Sequence, residues 1–397
     1  MKKKENKRMS SHQKKVLFLI DSLQGSGAER SLVEIAKRFK DYTPVFVHIY
    51  DGDMLKPELQ KAEIKVYSLG VQKKYGFKEA SNLLIPIYKE EKPTLVHSTL
   101  YRADMVARYL KKKFPQIPLI GSFVNNSYTP QRYKSAGLIM KIKIWLAYQL
   151  DKHSAKRVDF FISNSETIKK SEGGALAVPP SKIGVIYRGR DLSKYDGFDK
   201  SSLRSKKSSL GIQSENILIN VSRLIERKAQ LDIINALPVV LKKFPDTVLL
   251  IAGHGKYHHI LQKKAEELNI QKHVKLLGRR QDISELLALS KIFIYPSYAE
   301  GLPGALIEAM MSRKLIIASN IGENLECVDE NCALIFKKGE VGELADKIIY
   351  ALKNFSRLQD YGENARRAAQ EKFEIQTIAH KYEELYDDVT NNYSYRR

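Results

Sequence analysis

The sequence predicts an α/β protein of two Rossmann-like parallel-sheet domains facing a cleft, and three observations predict it. The chain has 397 residues, too many for one ordinary core and comfortable for two domains of about 150–200 residues. Short runs that are apolar on both faces alternate with stretches of helical periodicity, the pattern of strands buried in a parallel sheet covered on each side. That pattern halts once, at a polar stretch, and then starts again.

Residues 1–15, "MKKKENKRMSSHQKK", form a basic tail. "VLFLI" (Val16 to Ile20) follows and is ended by Asp21. Five apolar residues are too few for a signal-peptide core of roughly 7–15, so this reads as a buried first strand. "GAERSLVEIAKRFK" places Leu32, Ile35, Ala36 and Phe39 on one helical face, and "TPVFVHIY" is the second strand. "IKVYSLG", "PTLVHST", "IPLIGSFV" and "VDFFISNS" continue the sheet of an N-terminal domain over residues 16–197. Residues 198–211 are rich in Ser, Lys and Gly, poor in apolar residues, and read as a linker. From 212 to 374 the strands "NILINVS", "TVLLIAGHG", "HVKLLG", "IFIYPS" and "LIIAS" alternate with helices and make a second sheet. Residues 375–397, with "IQTIAHKYEELYDDV", are a last helix expected to cross back to the N-terminal domain.

Hydrophobic residues at 43% and charged residues at 28% exclude a disordered chain, and no apolar run approaches the ~18 residues of a membrane span. The two cysteines, Cys327 and Cys332, make no disulfide framework and have poor zinc spacing, which fits a cytoplasmic setting. The net charge of +22 is uneven. Residues 1–197 hold 37 Lys and Arg against 19 Asp and Glu, net +18, while the remainder nets +4. Such a field suits an anionic partner: a membrane surface, a phosphate-bearing acceptor or a nucleic acid. The basic residues are scattered without aromatic interleaving or a reading module, so no nucleic-acid partner is expected.

The acids of "EGLPGALIE", Glu300 and Glu308, flank a turn that follows the strand "IFIYPS" and opens a helix. Helix starts offer unpaired amides and a partial positive charge. Pro303 has no N–H, so the donors for a phosphate are Leu302, Gly304 and Ala305, beside Gly301. Carboxylates on either side suit sugar hydroxyls. "SRLIERK" offers Arg223 and Lys228 at another strand end, a pair suited to a diphosphate. Removing either cation is expected to cost any reaction at that diphosphate about 10²-fold while leaving the fold intact. In "DSLQGSGAERS", Gly25 and Gly27 make a Gly-rich anion turn, although Arg30 breaks a dinucleotide fingerprint.

Together "EGLPGALIEAM", "SRLIERK", "AGHGKYHHIL", "LLGRRQDISELLALSKIFIYPS" and "VIYRGRDLSKY" resemble family 4 of the retaining, nucleotide-sugar-dependent glycosyltransferases of the GT-B fold, in the family's order and over nearly the whole chain. The resemblance implies that Glu308 holds the ribose and Glu300 the donor sugar, that Arg223 and Lys228 grip the diphosphate, that Gly27 adds a backbone contact and that the backbone at Arg280 faces the base. It puts His97, in "PTLVHSTLYRAD", against the donor sugar. No cofactor and no metal are implied; the co-substrate is a nucleotide-diphosphate sugar, a UDP-sugar ahead of a GDP-sugar. "DGD" at 51–53 and the histidines His254, His258 and His259 are read as solvated groups rather than metal ligands. The chain departs from the family at Arg188 (usually Asn), Arg190 (usually aliphatic), Ala229 (usually Gly), and Arg313 and Lys314 (usually Gly and Pro).

The acceptor is expected to be a glycan or a lipid-linked anionic molecule, held by "SFVNNSYTPQRYKSAG" through Asn125, Asn126, Tyr128 and Arg132. "GLIMKIKIWLAYQLDKHSAKRV" carries a helical stripe (Ile142, Trp145, Leu146 and Gln149 or Leu150) with Lys141, Lys152, Lys156 and Arg157 alongside, which fits either a helix packed on the first sheet or one lying in an anionic membrane interface. The location expected is cytoplasmic or peripheral on the inner face of the cell membrane. The alternatives are a sugar-nucleotide epimerase or glucan synthase of the same fold and, from another class, a basic nucleic-acid-binding protein.

Overall fold

The structure is a computed structural model and describes residues 14–128 and 137–394. Two compact units divide the chain. The first comprises residues up to Ser163, Ser171–Ile186 and the chain from Ala379 on; the second comprises Asn164–Lys170 and Tyr187–Ile378.

In the first unit β1 (Lys14–Ile20), β2 (Tyr42–His48), β3 (Lys65–Ser68), β4 (Leu95–Thr99), β5 (Leu119–Phe123), β6 (Phe160–Ser163) and β7 (Ile183–Val185) form one parallel sheet in the order 3-2-1-4-5-6-7. Val16 to Ile20 are wholly buried, as strands covered on both faces must be. The helices are α1 (Gly27–Ala36), α2 (Lys56–Lys61), α3 (Phe77–Glu91), α4 (Tyr101–Lys113), α5 (Leu138–Ala155) and α6 (Glu166–Leu176).

Residues 198–211, expected as a linker, instead contain α7 (Lys200–Ser209). Asp199 caps it, accepting from the amides of Ser201 and Ser202, and Lys206 pairs with Asp282 and Glu285 at 2.6 Å each. Composition suggested a linker because the helix buries nothing; its cap and ion pairs make it a helix.

The second unit's sheet is also parallel: β8 (Ile217–Val221), β9 (Val248–Ala252), β10 (Val274–Gly278), β11 (Ile292–Tyr295), β12 (Leu315–Ser319) and β13 (Ala333–Phe336), in the order 10-9-8-11-12-13. Its helices are α8 (Gln230–Leu241), α9 (His258–Glu267), α10 (Ile283–Leu289), α11 (Gly304–Met311), α12 (Gly322–Leu325), α13 (Val341–Lys353) and α14 (Gln359–Phe373). The last helix, α15 (Ile375–Ser394), is stitched into the first unit beyond Ala379. Glu383 Oε1 accepts the amides of Lys40, Asp41 and Tyr42 at 2.7–3.1 Å, and Tyr42 Oη donates to Asp387 at 2.7 Å.

Each sheet reverses its winding once, between β1 and β4 in the first unit and between β8 and β11 in the second. Ligands of open parallel sheets bind outside the carboxyl ends of strands at such switch points. "DSLQGSG" follows β1, His97 lies in β4, Arg223 and Lys228 follow β8, and Glu300 follows β11.

Candidate active site

The second unit's site starts from the loop after β8. "AGHG" supports it from below: a Cβ on Gly253 would stand 1.8 Å from the Ser222 carbonyl oxygen, and one on Gly255 would stand 2.2 Å from that of Leu224. Only glycine permits this approach. Gln230 Nε2 then bonds Ser222 Oγ (2.6 Å) and the Arg223 carbonyl (2.9 Å), so the loop leading to Lys228 is pinned from two sides.

Lys228 and Glu300 meet as a buried ion pair. Lys228 Nζ also bonds Tyr295 Oη at 3.0 Å. Burial alone pushes the Glu300 carboxyl up, but the charge and hydrogen bond of Lys228, with Arg227 behind them, leave it below the usual carboxylate range. Burial pulls the Lys228 ammonium down, and the neighbouring charges of Arg227 and Arg223 add to that. Arg227, which the sequence reading passed over, stands 3.7 Å from Glu300 and donates to the Ala299 carbonyl at 2.6 Å. Its place in "SRLIERK" was the available signal.

Glu308 lies one turn inside α11, as expected, and is also paired. Arg190 Nε donates to it at 2.9 Å. The Arg190 guanidinium lies over the helix head, since a Cβ on Gly304 would stand 2.3 Å from its Nη2. Its backbone is held by bonds with Phe373 and Ile375. Arg188 Nη1 reaches the Leu302 carbonyl at 3.4 Å, so both family departures gather at the "GLPG" turn. The first bonds of α11 run from Leu306 and Ile307 to Pro303, so the amides of Gly304 and Ala305 are not spent within the helix. Arg280 is held in a fork by Asp282.

Two other departures have a conformational meaning. Ala229 and Arg313 both sit at positive φ, +52° and +53°, where glycine is relaxed and other residues are strained. Arg313 is compensated by ion pairs to Asp196 (2.7 Å) and Glu363 (3.0 Å). Lys314 Nζ bonds the Ser290 carbonyl at 3.1 Å, and burial holds its ammonium down at about 8.

In the first unit, Gly25 has φ +83° and Gly27 begins α1. The turn already holds a carboxylate, because the Ser26 amide donates to Glu29 Oε2 at 2.7 Å. His97 differs from expectation. It is wholly buried in the unit, with Nδ1 2.7 Å from Tyr386 Oη and Nε2 2.7 Å from Ser122 Oγ, so neither nitrogen is left for a donor sugar. Burial lowers its pKa to about 3, which keeps it neutral. The helix that supplies Tyr386 lies 289 residues along the chain, out of reach of local sequence reasoning. Tyr128 Oη donates to Asp151 Oδ2 at 2.6 Å; Asn125 is exposed and Asn126 half-buried. Arg132 lies outside the described residues.

The apolar stripe of α5 is not packed on the sheet. Ile144 is buried, but Leu138, Ile139, Met140, Ile142, Trp145, Leu146 and Leu150 are exposed, Leu138 by 75% and Trp145 by 53%. No described helix is long and apolar enough to cross a membrane.

The family model of Glycosyl transferases group 1 matches residues 203–368, and that of Glycosyltransferase Family 4 matches residues 25–194. The chain is 35% identical over 323 residues, 79% of its length and 83% of the relative's, to the capsular polysaccharide biosynthesis glycosyltransferase CapH of Staphylococcus aureus. It is 26% identical over 316 residues, 78% and 79% of the two chains, to the UDP-Gal:alpha-D-GlcNAc-diphosphoundecaprenol alpha-1,3-galactosyltransferase of Escherichia coli. In fold it is similar to Anabaena Alr3699/HepE crystallised with UDP-glucose, with a TM-score of 0.82 at 23% identity over 94% of this chain and 99% of that one. Two family models that between them span most of the sequence, and a relative 35% identical over four-fifths of it, place the chain in family 4 of the GT-B glycosyltransferases.

Proposed function

We propose that the chain moves a sugar, with retention and without a metal, from a UDP-sugar onto a glycan or lipid-linked anionic acceptor in cell-surface polysaccharide synthesis. The observation that carries this reading is the gathering of Arg223, Arg227 and Lys228 at the second sheet's switch point, on strand ends shared with Glu300. Cations preorganised where charge develops stabilise a departing diphosphate, and such a contact is worth about 3 kcal/mol. The two carboxylates built into the site, Glu300 and Glu308, are each held by a cation. That arrangement favours hydroxyl-binding roles over nucleophilic attack, and the leaving diphosphate then helps deprotonate the incoming hydroxyl on the same face. The ribose exchanges with Arg190 for Glu308, and the sugar shares Glu300 with Lys228. Support for a uracil nucleotide comes from the UDP-Gal named for the Escherichia coli relative and the UDP-glucose held by the Anabaena protein.

A thermal-shift panel of UDP, GDP, ADP and their sugars, run with EDTA, tests the donor, because a ligand of the folded state raises the melting temperature by mass action. UDP compounds are expected to give the largest shift. Product analysis with labelled donor reads the anomer. A nucleotide effect that requires a divalent ion, or an inverted product, overturns the mechanism.

The exposed face of α5 supports a second element of the proposal, attachment to an anionic membrane on the cytoplasmic side. Seven large apolar side chains are open to solvent on one helix, with Lys141, Lys143 and Lys152 among them, and each basic residue near such a surface contributes about 1 kcal/mol. Vesicle sedimentation should show binding to anionic lipid that fades with salt and with Trp145→Glu. Equal partition of wild type and variant refutes it.

A further inference from the structure

The first unit contains a cavity that none of the residues discussed for the donor explains. It is lined by Tyr101, Asp104, Arg108, Ser122, Asp151 and Glu172, with Leu100 and Asn125 at its edges. Its volume is about 40 Å³, room for about three water-sized groups at ~10–15 Å³ each. It lies where β4 and β5 end, beside the switch point of the first sheet.

Three observations mark it as a built site. Arg108 is 1% exposed, and the hydrogen bonds it makes to oxygen all leave from Nη1, to Asp151 Oδ1 (2.5 Å), Ser154 Oγ (2.9 Å) and the Asp151 carbonyl (3.2 Å). Its Nε is wholly buried and has no partner, which is costly for a polar group. Leu100, at the mouth, has φ +80° and ψ 148°, a conformation costly for a branched residue and typical of functional sites. Asp104 accepts from Ser98 Oγ (2.6 Å), which leaves lone pairs on that carboxylate for a ligand, while Glu172 accepts from the Ser127 amide (2.5 Å) and is further held by Ser127 Oγ and the Tyr128 amide.

Ser122 connects the cavity to His97. His97 bridges Tyr386 Oη and Ser122 Oγ, and Ser122 Oγ also accepts from Thr99 Oγ1 at 3.1 Å, so this cavity residue is held from two sides. His97 acts here as a positioning residue.

Three carboxylates against one guanidinium repel an anion, and among the described residues no group of acids and histidines is arranged to hold a metal. Beside the apolar Phe123, Val124 and Leu176, the walls offer both donors and acceptors, the two roles that hydroxyl groups use. Burial raises Asp104 and Glu172 to about 7, so near neutrality each serves as acceptor or as donor.

We propose that this cavity seats the hydroxyl edge of the acceptor sugar, and that the sugar is a neutral pyranose or its acetamido derivative, the anionic part of the acceptor lying elsewhere. The inference rests on the reading of the first unit as the acceptor domain. The test is saturation-transfer NMR on the full chain with UDP present, using methyl glucoside, methyl N-acetylglucosaminide and glucose 6-phosphate as probes. A neutral glycoside is expected to receive saturation, and glucose 6-phosphate to bind more weakly. Asp104→Asn and Glu172→Gln should each weaken the neutral glycoside about tenfold, and Asn125→Trp, at the exposed rim, should block it without touching the interior. UDP affinity, measured separately by calorimetry, should stay within twofold in all three, which also shows that they are folded. The cavity assignment is overturned if no neutral glycoside binds, if all three variants bind it like wild type, or if glucose 6-phosphate binds more tightly. If wild type fails to bind UDP, the transferase reading falls first and this inference with it.

Discussion

The Lys228–Glu300 pair turns a catalytic prediction into one about stability. Its partners are almost wholly buried, with side-chain exposures of 9% and 5%. Two unit charges about 4 Å apart attract by about 4 kcal/mol at an effective dielectric near 20, and removing one member of a buried pair costs about 3–5 kcal/mol because the other is left uncompensated. Lys228→Met, which keeps length and loses charge, should therefore destabilise the second unit by about 3–5 kcal/mol. With a slope of about 2 kcal/mol/M, its urea midpoint should fall by about 1.5–2.5 M. Glu300→Gln should cost a similar amount, and the double variant should recover much of the loss, since two neutral groups have nothing left to compensate. Urea denaturation followed by tryptophan-independent far-UV dichroism reads all four proteins. The expectation that removing Lys228 leaves the fold untouched holds only for Arg223, whose side chain is exposed. A Lys228→Met protein within about 0.5 kcal/mol of wild type would refute the pairing argument, and a transfer defect in Lys228→Met counts as catalytic only where the variant is still folded.

Arg190→Leu releases Glu308 from a partly exposed pair worth up to about 1 kcal/mol, so uridine should bind about 2–5-fold more tightly by calorimetry; equal or weaker affinity means that Arg190 does not compete with the ribose. Ala229→Gly should raise stability by about 0.5–1 kcal/mol by relieving the φ of +52°, and a loss in urea denaturation would count against that strain. The first unit should lose stability as pH rises from 6.5 to 8. Asp104 and Glu172, raised to about 7, hold protons in the folded state that the unfolded chain has released, at about 1 kcal/mol each across that window. Below 6.5, His97 works the other way, because the unfolded chain takes the proton that the buried ring refuses. Asp104→Asn should flatten the upper slope, and an unchanged pH profile would show that Asp104 is ionised throughout.

The sequence by itself determined the two parallel sheets, the strand ends and the helix starts. These follow from runs such as "VLFLI" and "IFIYPS" and from turns such as "GLPG", whose periodicity and amide geometry are local. It also determined that the motif-bearing loops share one edge of each sheet, because in a parallel sheet every loop after a strand leaves from the carboxyl edge. α7 was missed because a helix that buries nothing has no apolar period to detect. Only the tertiary structure decided which charges neutralise one another. Lys228 meets Glu300 across 72 residues, Arg190 meets Glu308 across 118, and His97 meets Tyr386 across 289. It also decided that Trp145 and its neighbours on α5 face solvent rather than the sheet, since one apolar stripe serves either surface. The cavity around Arg108 is of the same kind: its walls come from α4, β5 and the loop after it, α5 and α6, and no stretch of sequence contains two of them at a spacing that announces a site. Pairing and exposure depend on which elements become neighbours in space, and that information is carried by packing rather than by the period of any one segment.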